Sequence, residues 1–117
     1  MRSVVRVIVS SARQCDRDGT VPNVSNVAAA ARYSRQHLAT EFFKVTGRAL
    51  RTVLKERRLR RAARALRAGA TISEAVEASR YVSEAYFRTE FRARFGMTPS
   101  AYRRAAKRAH LAARFGG

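Results

Sequence analysis

The sequence predicts an all-α protein of about seven helices, with two helix-turn-helix subdomains joined by a long linker helix. Three observations lead to this prediction. Apolar residues recur at helical spacing along most of the 117-residue chain. Glycines stand where those patterns end, as at Gly47 and Gly96. A short helix, a turn and a longer helix occur twice. We expect the two subdomains to cover residues 1–47 and 69–117, and the linker helix to cover residues 48–68.

The first segment, residues 2–14, is compatible with either a strand or a helix. The β-branched residues within positions 4–9 have strand propensity. In contrast, Val4, Ile8 and Ala12 share one helical face. The composition of this segment leaves the choice open.

The first helix-turn-helix is predicted after a loop at residues 16–23, where Gly19 and Pro22 interrupt the helical pattern. A short helix follows, and a longer one begins after Ser34, a good N-cap residue. Gly47 is placed to end it. The residues expected to face the core share one side of the longer helix: Leu38, Phe42 and Val45.

Residues 50–68 predict one long amphipathic helix that ends at Gly69. The positions expected to be buried share one face: Leu50, Val53, Leu54, Leu59, Ala62, Ala63 and Leu66. Between residues 48 and 67 there are nine Lys and Arg residues but only one acid, Glu56. This excess predicts that part of the basic face contacts a polyanion or an acidic partner surface.

The helix-turn-helix pattern then repeats at an offset of about 48 residues. Thr71 caps a short helix, and Gly96 ends a longer one that carries Phe87, Phe91 and Phe95. The two copies align through pairs of residues: Val24 with Ile72, Tyr33 with Tyr81, and Phe42 with Phe91. We expect the aromatic members of these pairs to be core residues rather than a base-stacking platform. A last basic helix is expected over residues 101–113.

Charge gives the strongest indication of a partner. The 25 Lys and Arg residues against 8 acids give a net charge of +17, and 22 of the basic residues are Arg. Such a charge favours a polyphosphate partner, because each neutralised phosphate releases a counterion. The guanidinium fork also matches phosphate oxygens and guanine edges. Double-stranded DNA is the partner we expect; an anionic membrane surface and a merely solvated basic surface are the alternatives.

Several functions lack the residues they need. The single cysteine, Cys15, excludes an intrachain disulfide and a multi-cysteine zinc site. Two histidines, His37 and His110, provide little material for a metal site or a hydrolytic triad. We therefore expect no enzyme activity, no cofactor and no metal. No apolar run reaches membrane-spanning length, so we expect a cytoplasmic, nucleoid-associated protein without a membrane partner.

The length of the linker suggests how two subdomains bind one duplex. A helix over residues 50–68 is ~30 Å long at about 1.5 Å per residue. The major groove recurs on one side of B-DNA about every 34 Å. We therefore expect the chain to bind DNA as a monomer, with two recognition helices one helical turn apart.

The sequence resembles the DNA-binding domain of AraC/XylS-family transcription regulators over about residues 4–104. The segments that carry the resemblance are LATEFFK at residues 38–44, RRLRRA at 57–62, YVSEAYF at 81–87 and FRARFGMTPSAYR at 91–103. The resemblance implies a transcription regulator, favours activation over repression, and makes RNA polymerase a candidate partner. Because the chain starts at Met1, we expect a stand-alone domain without an effector domain or a small-molecule effector.

Resemblance and helical spacing together predict the DNA-contacting residues. The base-facing candidates lie on the outward sides of the two longer helices: Arg35, Gln36, Ala39, Thr40, Ser83, Glu84, Ala85 and Thr89. The phosphate-contacting candidates are Ser34, Lys44, Arg88, Arg92, Arg103 and Arg104. Thr40 and Thr89 stand where family members often carry Arg. Threonine can touch a thymine methyl or a phosphate, but it cannot make a bidentate guanine contact.

Two further departures from the family concern the turns, where Arg32 and Arg80 replace a usual glycine. Each Arg must adopt a left-handed conformation, or the turn must differ. The weakened base-contacting positions also leave two other functions open. One is an architectural protein that coats or bends DNA with little sequence preference; the other is a protein-interaction module.

Overall fold

The computed structural model describes residues 3–115, which form seven α-helices and contain no strand. The all-α prediction is confirmed. The helices are α1 Val4–Asp18, α2 Val24–Ala31, α3 Arg35–Thr46, α4 Leu50–Arg67, α5 Ile72–Ala78, α6 Glu84–Phe95 and α7 Pro99–Phe115. None of the helices in this described range is long and apolar enough to cross a membrane.

The first segment is helical because one face of α1 is buried. Ile8, Ala12 and Cys15 lie in the core of the N-terminal half of the chain, and burying this face outweighs the strand propensity of the valines. The helix runs to Asp18, so the loop predicted from residue 16 begins only at Gly19. That glycine adopts a left-handed conformation, and its N–H caps the last turn of α1.

The chain divides into two compact units, the first ending at Arg57 and the second beginning at Arg58. Each unit has its own hydrophobic core. The N-terminal half of α4 contributes Leu50 and Leu54 to the first core. Its C-terminal half contributes Leu59 and Leu66 to the second. The predicted apolar stripe of α4 therefore serves two cores in succession.

The internal repeat is longer than the sequence analysis predicts. Two sets of buried residues have identical spacing: Ile8, Ser11, Ala12 and Cys15 in α1, and Leu59, Ala62, Ala63 and Leu66 in α4. Each unit therefore contains a helix, a helix-turn-helix and a following helix. The N-terminal half of α4 completes the first unit, and its C-terminal half opens the second. Small residues such as Ala and Cys hide this similarity in the sequence.

Two predicted core positions are wrong. Val45 is 63 % exposed, because the buried face of α3 is formed by Leu38 and Phe42, four residues apart, and Val45 lies off that face. Thr46, the next residue at this spacing, is exposed, and its hydroxyl donates to the Phe42 carbonyl at 2.8 Å. Tyr33, expected in the core, is 41 % exposed, and its ring meets His37 edge-on at 5.4 Å.

Both helix-turn-helix turns use arginine in a left-handed conformation. Arg32 and Arg80 each have a φ of 62°. The N–H of Arg32 bonds to the Ala29 carbonyl at 3.1 Å, and the N–H of Tyr33 bonds to the Ala28 carbonyl at 3.0 Å. Equivalent bonds close the second turn. These bonds satisfy carbonyls that the helix end would otherwise leave unpaired.

The basic face of α4 makes more internal contacts than the sequence analysis predicts. Arg57 forms an ion pair with Asp16 at 2.6 Å, and Arg48 forms one with Glu56 at 2.7 Å. Arg58 donates to two backbone carbonyls. These arginines stabilise the fold of their own units. Residues that remain exposed on α4 include Arg51, Arg60 and Arg64.

Candidate nucleic-acid interface

The outward face of α3 lies in a groove of about 1140 Å³ in the first unit. The predicted residues Arg35, Gln36, Ala39 and Thr40 line this groove together with Lys44. Gln36 and Thr40 are exposed, whereas Ala39 is half-buried and packs against the core. The structure thus brings five predicted site residues of the first unit onto one concave surface.

The beginnings of two other helices line the same groove. Asn23, Val24 and Ser25 come from the start of α2, and residues 49–51 come from the start of α4. These residues are absent from the site predicted from the sequence. The signal for them was the N-cap Asn23, whose side chain accepts from the Asn26 N–H at 2.9 Å. Helix ends of this kind expose backbone N–H groups, which bind anions.

Charge at the helix starts favours phosphate in this groove. None of α2, α3 and α4 carries an acid in its first turn, so the partial positive charge of each N-terminus is not neutralised locally. Arg35 donates to the Ser25 hydroxyl at 3.1 Å, which ties α3 to the start of α2. Lys44 pairs with Glu41 at 3.4 Å on an exposed face. Exposed pairs of this kind contribute less than about 1 kcal/mol, so Lys44 is free to exchange partners.

Ser34 has a structural role at the start of α3. Its hydroxyl accepts from the His37 N–H at 3.1 Å and caps the helix, as the sequence predicts. Phe43 lies in the groove and is 57 % exposed. The groove therefore combines polar side chains with an aromatic ring, and its rim carries basic charge.

The predicted residues of the second unit are exposed along α6 and its N-cap. Their polar groups are largely engaged with one another. Ser83 caps α6 by accepting from the Tyr86 N–H at 3.2 Å. Glu84 pairs with Arg88 at 3.2 Å. The Thr89 hydroxyl donates to the Ala85 carbonyl at 3.2 Å, so its oxygen can still accept a hydrogen bond and its methyl group is left for apolar contact.

The second unit also differs in charge at its helix starts. Glu74 forms a capping box with Thr71, in which the Thr71 N–H donates to the Glu74 carboxylate at 2.9 Å. This backbone hydrogen bond holds the pKa of Glu74 below its ordinary value. Glu84 occupies the first turn of α6. Both carboxylates disfavour an anion at these helix ends, in contrast to the helix starts that line the groove of the first unit.

The arginines predicted to contact phosphates are not equivalent. Arg88, Arg92 and Arg104 are exposed. Arg103 is half-buried, and its Nε donates to the Ala70 carbonyl at 2.9 Å. Its guanidinium therefore ties α7 to the loop that follows α4. No cluster of His, Cys, Asp and Glu suited to a metal ion occurs in the described part of the chain.

Comparison with known proteins gives consistent matches. A family model described as a helix-turn-helix domain matches residues 27–105. Over 86 residues, the chain is 38% identical to the transcriptional regulator Rob of Salmonella typhimurium. Over 83 residues, it is 40% identical to the right origin-binding protein of Escherichia coli. These matches cover 73% and 70% of this chain. The chain spans only 30% and 29% of the length of those relatives.

Two solved structures share the fold. One is the DNA-binding domain of AdpA, crystallised in complex with a target DNA. It matches with a TM-score of 0.72 and 24% identity, over 99% of this chain and 98% of that one. The other is the C-terminal domain of the response regulator yesN from Fusobacterium nucleatum. It has a TM-score of 0.63 and 24% identity, over 69% of this chain and 80% of that one.

Proposed function

Because the chain belongs to the AraC/XylS family of helix-turn-helix transcription regulators, we propose that it is a sequence-specific regulator that binds double-stranded DNA. The observation that carries this proposal is the groove of the first unit, where the outward face of α3 lies between the starts of α2 and α4. An α-helix fits the major groove of B-DNA, and the flanking helix N-termini suit the phosphates beside it.

In this proposal α3 and α6 each enter a major-groove segment. Gln36 is suited to adenine, since its amide can donate and accept at one base edge. In the second unit Thr89 offers its methyl group to DNA, and its hydroxyl proton is already donated to the Ala85 carbonyl. A methyl group favours contact with thymine. Arg35 and Glu84, which occupy equivalent positions in the two units, give them different base preferences.

The proposal includes binding as a monomer. One chain carries two helix-turn-helix motifs, so one molecule supplies the two recognition helices that simple repressors obtain by dimerising. Family resemblance favours activation over repression and contact with RNA polymerase as the route to it.

A second candidate function is architectural DNA binding, and specific observations favour it. The net charge is +17, and Thr40 and Thr89 cannot make a bidentate contact to guanine. A protein of this kind binds mainly through phosphates, with little preference among sequences.

Selection of binding sites from a randomised duplex library of about 30 base pairs distinguishes the two functions. At roughly 150 mM salt, non-specific phosphate binding is already weakened. We expect two short conserved boxes, centred about one helical turn apart as the sequence predicts. Thr40→Ala and Thr89→Ala should each relax one box. Persistent binding without any conserved box would instead establish the architectural function.

A further inference from the structure

Arg58 connects α4 to the turn that precedes the second recognition helix. Its Nε donates to the Ser79 carbonyl at 3.0 Å, and its Nη2 donates to the Arg80 carbonyl at 2.7 Å. Its guanidinium carbon lies 4.3 Å from the centre of the Tyr81 ring. One side chain from α4 therefore contacts three consecutive residues of the turn.

The chemistry of the turn explains why a guanidinium binds there. The end of α5 presents carbonyls with partial negative charge, which favours a cation. Ser79 is almost completely buried, and its own hydroxyl donates to the Ala75 carbonyl at 2.8 Å. Water therefore has little access to the Ser79 carbonyl, and a protein donor is needed to satisfy it. Burial lowers the pKa of Arg58 from its ordinary value.

Among the residues that the structure describes, this contact has no counterpart in the first unit. The matching spacing of buried residues in α1 and α4 places Val7 where Arg58 stands in the second unit. Val7 lines a hollow of about 270 Å³ beside Arg32 and Tyr33. A valine offers no hydrogen bond to a turn carbonyl. The ring of Tyr33 is 41 % exposed, whereas Tyr81, beneath Arg58, is only 7 % exposed.

The position of this turn also determines where α6 lies. Tyr81 meets Phe87 edge-on at 5.4 Å, and Phe87 is a fully buried core residue of α6. A shift of the turn would therefore be passed to α6 through the packed rings, because close-packed cores transmit displacement. The outward residues of α6 begin within four positions of Tyr81.

We propose that Arg58 is a positioning residue for the second recognition helix: by holding turn residues 79–81 against α4, it sets the register in which α6 meets DNA bases. This inference rests on the proposed function. It implies an asymmetry, because the first unit has Val7 at the equivalent place. Loss of Arg58 should therefore weaken recognition of one box and leave the other unaffected.

The test uses the full chain and duplexes that carry both selected boxes, or one intact box and one scrambled box. Arg58→Met removes the two hydrogen bonds and keeps an apolar stem. Arg60→Met is the matched control, since it removes one positive charge from an exposed position of the same helix. Affinities are measured by fluorescence anisotropy over a range of salt, at a temperature where circular dichroism shows each variant to be folded.

Arg58→Met should bind the intact duplex about tenfold or more weakly than Arg60→Met, the loss expected for two charge-assisted hydrogen bonds. That difference should vanish when the second box is already scrambled. The salt dependence of Arg58→Met should equal that of the wild type, because Arg58 is not a phosphate contact. Exchange of the Tyr81 amide proton with solvent should also accelerate, while that of Tyr33 should not.

Two results would overturn the inference. One is equal affinity of Arg58→Met and Arg60→Met for the intact duplex. The other is a loss at Arg58 that persists with the second box scrambled and reduces the salt dependence, as a phosphate contact would. If Arg58→Met does not fold, Arg58→Lys provides the test, because the ammonium group of lysine cannot reproduce the fork geometry in which Arg58 donates to both carbonyls. If Arg58→Lys then distinguished an intact second box from a scrambled one as well as the wild type does, the inference would be rejected. Failure of the wild type to discriminate any sequence would instead reject the proposed function.

Discussion

At the scale of single residues, Tyr81 carries an unusual hydroxyl. It is buried, and it has no hydrogen-bond partner within the described residues. Its ring is nevertheless well packed, with Arg58 on one face and Phe87 against it. Burial raises the pKa of Tyr81 to about 12 from the ordinary 10.0, because the phenolate would lose its hydration; nearby Arg58 opposes the shift.

Tyr81→Phe should therefore leave the free energy of unfolding unchanged or raise it by up to about 1 kcal/mol, because an unsatisfied polar group is removed. The pH dependence is more diagnostic. The folded state of the wild type holds the phenol proton more tightly than the unfolded state does. The stabilisation that comes from the raised pKa of Tyr81 is fully present below about pH 10 and is lost as the pH rises towards 12.

Urea unfolding of both proteins at pH 8, 10 and 11 measures this difference. The wild type should lose stability faster than Tyr81→Phe above pH 10. Tyr86→Phe is the control, since it removes a hydroxyl from a half-exposed ring and should keep the wild-type profile. Parallel curves for the wild type and Tyr81→Phe would contradict the prediction.

At the scale of secondary-structure elements, the two turns store conformational strain. Each bends sharply through an arginine with a φ of 62°, a conformation that favours glycine. A side chain other than glycine in this region costs on the order of 1 kcal/mol. The fold accepts this cost because the hydrogen bonds that end α2 and α5 require the left-handed residue.

Arg32→Gly should raise the free energy of unfolding by about 1 kcal/mol, because glycine adopts the left-handed conformation freely. Arg32 is exposed, so little packing is lost. Gly47→Ala is the matched control: Gly47 has a φ of 71°, and a β-carbon there would meet nothing within 4 Å. It should lower stability by a similar amount, through conformation alone. Thermal unfolding measures the stability of both variants. A melting temperature of Arg32→Gly below that of the wild type would show that Arg32 is not strained.

At the scale of the whole molecule, the excess positive charge governs how the protein meets DNA. The net charge of +17 predicts binding that weakens steeply with salt. The five cations predicted to contact phosphates are Lys44, Arg88, Arg92, Arg103 and Arg104. Several basic residues outside this set, such as Arg57 and Arg58, bind their own units instead. The charge available for phosphates is therefore smaller than the composition suggests.

If each of the five cations neutralises one phosphate, log K should fall with log salt concentration with a slope of about −4.5. Arg104→Gln should reduce the magnitude of this slope by about 0.9 and leave the preferred sequence unchanged. Arg103→Gln should in addition destabilise the second unit, because the Ala70 carbonyl loses its donor. A slope unaffected by Arg104→Gln would remove Arg104 from the interface. Filter binding between 50 and 300 mM salt, roughly the range over which such slopes are resolved, provides the measurement.

Capping residues and glycine stops in the sequence predicted where several helices begin and end. The caps Ser34 and Thr71 and the stops Gly47 and Gly96 lie where their residue types indicate. These residues act on backbone groups a few positions away, so their effect is written in short segments of sequence. The family, too, follows from motifs whose order and spacing are visible along the chain.

Only the tertiary structure decided the questions that depend on distant partners. The helical state of α1 depends on a core built with residues from α2, α3 and α4. Val45 and Tyr33 are exposed because of what packs beside them, not because of their own chemistry. The sequence by itself determined the helices from α2 onward, the charge and the family. The fold decided that Arg57 and Arg58 are bound internally, since their carboxylate and carbonyl partners lie 21 to 41 positions away along the chain.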